Sequence, residues 1–379
     1  MRIALVGTRG IPAAYSGFET AAEHLAERFT RWGHEVTVYC RPHMVARRST
    51  HAGARLVHLP TIPAKHLDTL VHTAVSTCHL ATRSRPDVAI YFIAGNAPVV
   101  PLARLAGVPS VLQIDGLDSE RAKWSPAARA YLRLAERLAP AAATIAVTDS
   151  QTVADVYERR YGRRLAVATY GAELSDPGGE EWCRRLGVEP GRFVLFVGRL
   201  VPENNAHLLV EAHRLLAPDW PLVVVGDAPY ARGYVARLRA AAGPDVRFPG
   251  YLFGEGYAEL VHRAGLMCVP TEAGGTHPVI VEAMAAGAAL VVSDHPPNLE
   301  VVGEAAESFP LAGGAAALAD ALGALIGDPG RRAELGARAA ARARERHGWD
   351  AAAERYLALC RAALERAGRG PAGAQEAAG

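Results

Sequence analysis

The stretch richest in chemistry is Pro270-Thr271-Glu272-Ala273-Gly274-Gly275-Thr276-His277-Pro278, which runs on into Val279-Ile280-Val281-Glu282-Ala283-Met284. An apolar strand feeds a glycine pair, a hydroxyl and an imidazole. Pro278 suits the first position of a helix, where no N–H donor is needed. The first-turn amides, from Val279 onward, can hold a diphosphate, and Thr276 can donate as well. Glu282, one turn in, can accept from paired ribose hydroxyls. Plainer readings stand beside these: His277 as a packed or solvated ring, Glu282 as an ordinary helix-face acid.

Three further loops carry candidate groups. In Val197-Gly198-Arg199-Leu200-Val201-Pro202-Glu203-Asn204-Asn205, Arg199 lies just past a strand end. Its guanidinium can fork onto two phosphate oxygens, or it is a surface arginine. Gly7-Thr8-Arg9-Gly10-Ile11-Pro12 continues to Ser16-Gly17-Phe18-Glu19, where Gly17 lets a backbone approach a ligand at a helix start. The spacing lacks the third glycine of a dinucleotide fingerprint, and a tight strand-to-helix turn is the plain alternative. In Gln113-Ile114-Asp115-Gly116-Leu117-Asp118, Asp115 ends a strand, a place for a reacting or orienting group or for a solvated acid. The basic run Arg121, Lys123, Arg129, Arg133 and Arg137, interleaved with Trp124 and Tyr131, reads as a solvated helix face. Its other reading is a receiver of an anionic or lipid-linked acceptor at a membrane surface.

These loops need strands and helices to aim them. Apolar runs at 3–7, 35–40, 56–59, 88–92, 111–114, 144–147 and 165–168 read as strands, with helical periodicity at 19–31, 67–80 and 127–139. After Ser175-Asp176-Pro177-Gly178-Gly179, a stretch with the composition of a linker, the pattern restarts. Strands are expected at 193–198, 222–226, 246–248, 266–269 and 289–292, with a helix at 205–216 and a last one at 349–364. Apolar strands alternating with helices mean mostly parallel sheets covered on both faces. Two α/β units in series suit 379 residues.

Hydrophobic residues make up 50% and charged residues 21%, which fits a folded globular chain, and a formal charge of +2 gives no reason to expect a nucleic-acid partner. The five cysteines, Cys40, Cys78, Cys183, Cys268 and Cys360, form no close pair of the metal or redox kind and read as buried thiols of a reducing compartment. No leader pattern is read at the N-terminus, and no uncharged apolar run reaches the length of a bilayer span.

At the three glycine- and arginine-bearing loops the sequence resembles the retaining glycosyltransferases of family 4. It is nearest the bacterial branch with rhamnosyltransferases of surface-polysaccharide assembly. The resemblance implies a GT-B fold, two Rossmann-like domains with a central donor-binding cleft. The implied boundaries are residues 1–172 on the acceptor side and 173–345 on the donor side. A helix at 346–366 would pack back on the N-terminal domain, ahead of a flexible tail at 367–379. It further implies that Gly17 borders the donor diphosphate and that Arg199 binds phosphate. Glu282 matches the second acid of the family's paired-glutamate motif. The first acid falls on Gly274, and Glu272 is its candidate substitute. The usual lysine after the arginine is replaced by Asn204. Asp115 falls near a position where many relatives carry a histidine by the reacting sugar. Gly226 and Tyr251 are candidates for the nucleobase side, and Gly274, Gly275, Thr276, His277, Pro278 and Val279 for the diphosphate. Asp115, Arg199, His277 and Glu272 are the catalytic candidates.

The implied reaction is transfer of a sugar, with retained anomeric configuration, from a nucleoside-diphosphate donor to an acceptor hydroxyl. The donor is a thymidine- or uridine-diphosphate sugar carrying a deoxyhexose such as rhamnose, a hexose or an amino sugar. The acceptor is a polysaccharide precursor, lipid-linked or not, or a small natural product. No metal and no tightly bound cofactor are expected. The setting is the cytoplasm, with peripheral contact at the inner face of the membrane open. A nucleotide-sugar epimerase or phosphorylase, and a non-catalytic nucleotide-sugar sensor, are the competing readings.

Overall fold

The computed structural model describes residues 1–13, 17–64, 67–120, 124–229 and 231–368. The expectations resting on Ser16, Arg121, Lys123 and the last eleven residues lie outside the described residues. The chain divides into two compact units, Met1–Gly171 with Trp349–Gly379, and Ala172–Gly348.

The first unit is built on eight strands: β1 (Arg2–Val6), β2 (Glu35–Cys40), β3 (Thr50–His51), β4 (Ala54–His58), β5 (Val88–Phe92), β6 (Ser110–Ile114), β7 (Ile145–Thr148) and β8 (Ala166–Val167). Their order in the sheet is β3-β4-β2-β1-β5-β6-β7-β8. All pairs are parallel except the two-residue β3–β4 hairpin, which the sequence did not announce. Between them run α1 (Gly17–Arg31), α2 (Asp68–His79), α3 (Val100–Leu105), α4 (Pro126–Ala142) and α5 (Gln151–Tyr161). β5 and β6 are buried at every position, the mark of parallel strands covered on both faces. Ser125 and Ser150 cap α4 and α5 by accepting from the amides of Ala128 and Val153.

The second unit opens with α6 (Glu181–Leu186) and a parallel sheet of β9 (Val194–Val197), β10 (Leu222–Val225), β11 (Val246–Gly250), β12 (Leu266–Val269), β13 (Leu290–Ser293) and β14 (Glu307–Phe309), ordered β11-β10-β9-β12-β13-β14. Its helices are α7 (Ala206–Leu216), α8 (Arg232–Ala241), α9 (Gly254–Arg263), α10 (Pro278–Ala285), α11 (Pro296–Val302), α12 (Gly314–Ile326) and α13 (Pro329–Arg346). The stretch Ser175–Gly179 belongs to this unit: Arg263 clamps Asp176 with two bonds of 2.9 Å. The final helix, α14 (Trp349–Arg366), packs with α1 in the first unit's core through Trp349, Ala353, Tyr356 and Cys360.

Each sheet reverses its strand order once, between β1 and β5 in the first unit and between β9 and β12 in the second. Such switch points open a crevice beyond the strands' carboxyl ends, where ligands of open α/β sheets bind. Two glycines set the loops there. Gly7, at φ +102°, sits so close to β5 that a Cβ would lie 2.7 Å from the Phe92 carbonyl oxygen. Gly226, at φ +134°, leaves a Cβ only 1.9 Å from the carbonyl oxygen of Gly198. We therefore expect Gly226→Ala to lower unfolding free energy by about 3 kcal/mol or more through backbone displacement and a disfavoured φ. A denaturant midpoint unchanged from the parent would contradict that packing.

Candidate functional site

In the second unit the loop after β9 is braced from within. The Asn204 side-chain amide donates to the Arg199 carbonyl at 2.8 Å, and Leu200 N–H donates to the Asp227 carbonyl at 3.3 Å. Arg199 itself is half-buried. Asn204, expected in the place of a phosphate-binding lysine, thus spends its amide on the backbone that carries the arginine. It supports the cation instead of adding one.

This loop is tied directly to the one after β12. Glu272 N–H donates to the Glu203 carbonyl at 3.1 Å, and Asn205 Nδ2 to the Pro270 carbonyl at 3.0 Å. Asn205 holds φ +54°, a conformation that asparagine tolerates better than most residues. Beneath the loop, Ser293 Oγ donates to the Thr271 carbonyl at 2.5 Å, and Asn298 Nδ2 to Ser293 Oγ at 2.9 Å. The Glu203 carboxylate is buried, with both oxygens lacking a hydrogen-bond partner.

The glycine loop then leads into α10 with Pro278 in its first turn. Gly274 has φ +116°, and its carbonyl meets His295 Nε2 at 3.0 Å. Burial holds the His295 imidazole below its usual pKa. Gly275 and Thr276 are buried, while Pro278 and Val279 are half-buried. His277 is occupied inside the loop: Nδ1 lies 3.0 Å from Asn298 Oδ1, and Nε2 lies 3.1 Å from the Ala273 carbonyl oxygen. That ring fixes the loop's path into the helix. The Glu272 side chain is exposed.

Glu282, one turn into α10, has a partner the sequence did not disclose. Tyr257 of α9 donates its hydroxyl to Glu282 Oε2 at 2.5 Å. Burial raises the Glu282 carboxyl to about 7, because the tyrosine bond only partly offsets desolvation. Burial, with the adjoining carboxylate, also drives the Tyr257 phenol well above its ordinary range, so it remains a donor. Across the switch point Tyr251 donates to the Asp227 carbonyl at 2.8 Å and stacks on Phe253, centroids 5.9 Å apart. Both rings are exposed. Arg199, Asn204, Gly226, Tyr251, Gly274 to Val279 and Glu282 all belong to the carboxyl edge of this one sheet.

In the first unit the loop after β1 is held by Glu19. This buried acid accepts from Arg9 N–H at 2.9 Å, while Gly10 presses on Cys40, whose Sγ would lie 2.6 Å from an added Cβ. Gly17 is the first residue of α1. Asp115 is half-buried just past β6. The strand before it is anchored by α14, since Tyr356 donates to Gln113 Oε1 at 2.6 Å.

One polar cluster was not foreseen. Arg41, 1% exposed, donates to Asp68 Oδ2 at 2.8 Å, to Thr69 Oγ1 at 3.0 Å and to the Gly7 carbonyl at 3.4 Å. His72 on α2 reaches the Cys40 carbonyl at 3.1 Å, and burial lowers its pKa to about 4. Buried atoms without partners recur here: Arg41 Nε, Asp68 Oδ1, His72 Nδ1, Thr73 Oγ1, Ser76 Oγ and Asn96 Oδ1. Buried polar groups are seldom left unmet by protein, water or ligand. Among the described residues no three His, Cys, Asp or Glu side chains converge so as to hold a metal ion.

Comparison with known proteins agrees with this architecture. Residues 180–342 match the family described as Glycosyl transferases group 1, and residues 16–171 match the Glycosyl transferase 4-like domain. A D-inositol 3-phosphate glycosyltransferase of Kribbella flavida is 30% identical over 219 residues, 51% of this chain and 49% of that protein. A phosphatidyl-myo-inositol mannosyltransferase of Mycobacterium leprae is 34% identical over 177 residues, 44% of this chain and 46% of that protein. The chain thus spans about half the length of the curated relatives it matches. Among solved structures, Anabaena HepE in complex with UDP-glucose superposes with a TM-score of 0.76 at 20% identity, covering 95% of this chain and 99% of that one. Sucrose-phosphate synthase from Thermosynechococcus elongatus gives 0.76 at 19% identity, covering 96% and 99%. The fold is GT-B.

Proposed function

We propose that this chain, a GT-B protein related in both halves to the family 4 glycosyltransferases, transfers a sugar from a nucleoside-diphosphate donor to an acceptor hydroxyl. The observation that carries the reading is the bonding of the Arg199 loop to the glycine loop at the β9–β12 switch point, one turn ahead of Glu282. In this reading the amides opening α10 and the Arg199 guanidinium grip the diphosphate. Glu282, steadied by Tyr257, accepts from the ribose. Tyr251 and Phe253 offer an aromatic wall to the base.

Leaving-group departure puts charge on the diphosphate, and fixed donors aimed at it lower the barrier without an acid. Retention then follows from attack on the same face, with the departing phosphate taking the proton of the incoming hydroxyl. Asp115 and Gly17 serve from the first unit, Asp115 orienting the sugar or the acceptor. The unmet polar atoms around Arg41 and His72 support giving the hydroxyl-rich acceptor to the first unit. Relatives named for inositol substrates make polyols the first acceptors to try, ahead of polysaccharide precursors and small natural products. Uridine- and thymidine-diphosphate hexoses and deoxyhexoses are the donors to screen, rhamnose included.

A thermal-shift screen against sugar nucleotides tests the donor, since a bound ligand raises the melting temperature with its affinity. Release of nucleoside diphosphate only when an acceptor is present supports transfer. Release without one favours an epimerase, and binding without release favours a sensor. The brace under Arg199 gives a sharper test. Asn204→Ala should weaken nucleoside-diphosphate binding about fivefold, by loosening the arginine's backbone and removing one hydrogen bond of about 1 kcal/mol. Titration calorimetry showing unchanged affinity would dismiss Asn204 from the site.

A further inference from the structure

The core of the first unit holds a polar chain that packing does not require. Gln113 on β6 is fully buried, and Tyr170 and Tyr356 are 3% and 1% exposed. Both tyrosines sit in a core cluster with apolar side chains such as Val111, Val147 and Trp349. Tyr356 on α14 donates to Gln113 Oε1 at 2.6 Å. Gln113 Nε2 lies 3.4 Å from the Tyr170 hydroxyl oxygen and 3.5 Å from the Ile114 carbonyl oxygen. Leucine and phenylalanine would fill these positions without the cost of burying three polar groups. A hydrogen-bonded network inside a low-dielectric core is rigid, and rigidity at a chosen place is what it supplies.

The place is the carboxyl edge beside Asp115. β6 and β7 pair with Ile114 opposite Thr148, so Asp115 and Asp149 follow at neighbouring strand ends. Asp149 is fully buried. Burial foremost, and then the charge of Asp149, drives both phenols well above the ordinary tyrosine range, and Asp115 adds to the effect at Tyr170. Tyr170 therefore stands close to both acids, and both phenols keep their protons.

The segment carrying Tyr170 is itself pinned. Ala168 N–H donates to the Thr148 carbonyl at 2.8 Å, and Arg355 of α14 donates to Thr169 Oγ1 at 2.9 Å. Gly171 lies so close to Trp349 that an added Cβ would sit 2.4 Å from the indole. α14 thus holds the end of β6 from two directions, through Gln113 and through the residues around Tyr170.

We propose that Tyr356 is a positioning residue for Asp115, acting from α14 through Gln113 and Tyr170. Gln113 precedes Asp115 by two residues, so a phenol that fixes the amide fixes the path of the backbone into the acid. The use of that placement rests on the reading that gives Asp115 a part in sugar transfer, and the placement itself does not.

The test is carbon-13 NMR of the full chain with its aspartates labelled at the side-chain carboxyl, which needs no substrate. Asp115→Asn and Asp149→Asn assign the two signals. Tyr356→Phe and Tyr170→Phe, which cut the path at either end, should each shift the Asp115 signal. Those of Asp219 and Asp245, exposed in the second unit, should stay where they are. Leu364→Ala, which opens a cavity on the same helix, should lower the melting temperature yet leave the Asp115 signal in place. Gln113→Leu with Tyr356→Phe removes both partners of the bond at once. It should bring the melting temperature back toward the parent while the Asp115 signal remains shifted. With UDP-glucose as donor and myo-inositol as acceptor, Tyr356→Phe should lower kcat about tenfold, with the donor KM within about twofold. An Asp115 signal unmoved in both tyrosine variants overturns the proposal. So does a signal that returns with the melting temperature in the paired variant, which would leave Tyr356 a purely structural part. A shifted signal beside an Asp115→Asn chain that transfers at the parent rate upholds the placement and refutes the catalytic reading of Asp115 instead.

Discussion

Arg199→Ala is expected to weaken binding of uridine or thymidine diphosphate by roughly ten- to a hundredfold. The free nucleosides should bind within a factor of about three of the parent. Charge-assisted hydrogen bonds to phosphate contribute about 1.5–3 kcal/mol, and a guanidinium fork supplies two donors in fixed geometry. The contrast between diphosphate and nucleoside matters more than the size of the loss. A mutation that merely disturbed the loop would act on both ligands, because the same backbone reaches the Asp227 carbonyl that Tyr251 also meets. Arg199→Lys should recover only part of the loss, since an ammonium lacks the fork. Calorimetric titration of both ligands against each variant reads the result. Equal loss for nucleoside and nucleoside diphosphate would remove Arg199 from the phosphate site.

The second large effect concerns protonation. Glu282 has its pKa raised from 4.5 to about 7, so the folded chain holds this proton at pH values where the unfolded chain has released it. Where the native state binds more protons, stability falls as pH rises. The contribution of Glu282 is therefore fully present below about pH 4.5 and is lost as pH climbs to about 7. The loss is at most roughly 3 kcal/mol. Glu282→Gln should flatten this part of the stability profile, measured by urea unfolding across the pH range. Tyr257→Phe should extend the loss to higher pH, because the half-buried carboxylate would lose its one hydroxyl donor.

Binding should run the other way in pH. Ribose hydroxyls donate best to the ionised acid, so nucleoside affinity is expected to improve as pH passes about 7 in the parent and to stay flat in Glu282→Gln. A parent whose nucleoside affinity ignores pH over this range would contradict the ribose assignment. A parent stability profile without the slope would contradict the desolvation of the acid.

Much of the architecture was written in the strands. Val88–Phe92 and Leu266–Val269 are apolar throughout, and both are central parallel strands with no solvent face to demand alternation. The stops were legible too, as in Pro278 opening α10 and Ser150 capping α5. The β3–β4 hairpin was not, because two residues leave no periodicity to read.

What escaped were the groups whose surroundings come from distant segments. Tyr257 and Glu282 are 25 residues apart, on separate helices, and nothing local marks either as the other's partner. Arg41 follows a strand and looks like a solvent residue, yet Asp68 and Gly7 enclose it. α2 is the clearest case. Its buried positions are His72, Thr73, Ser76 and Thr77, while Leu70, Val71 and Val75 are only half-buried. A reading by apolar period turns that helix the wrong way, as happens where a site overrides the local rule. Asn204 stood where a cation was expected, and only the folded loop brings its amide to the Arg199 carbonyl.

The grip on the pyrophosphate is the claim to which the rest is secondary. It is tested most directly by a crystal of the full chain with a β-thio nucleoside diphosphate, locating the sulfur by its anomalous signal. We expect the diphosphate oxygens about 3 Å from the amides that open α10 and from the Arg199 guanidinium. A sulfur remote from both, in crystals where the nucleotide is fully bound, would contradict the account.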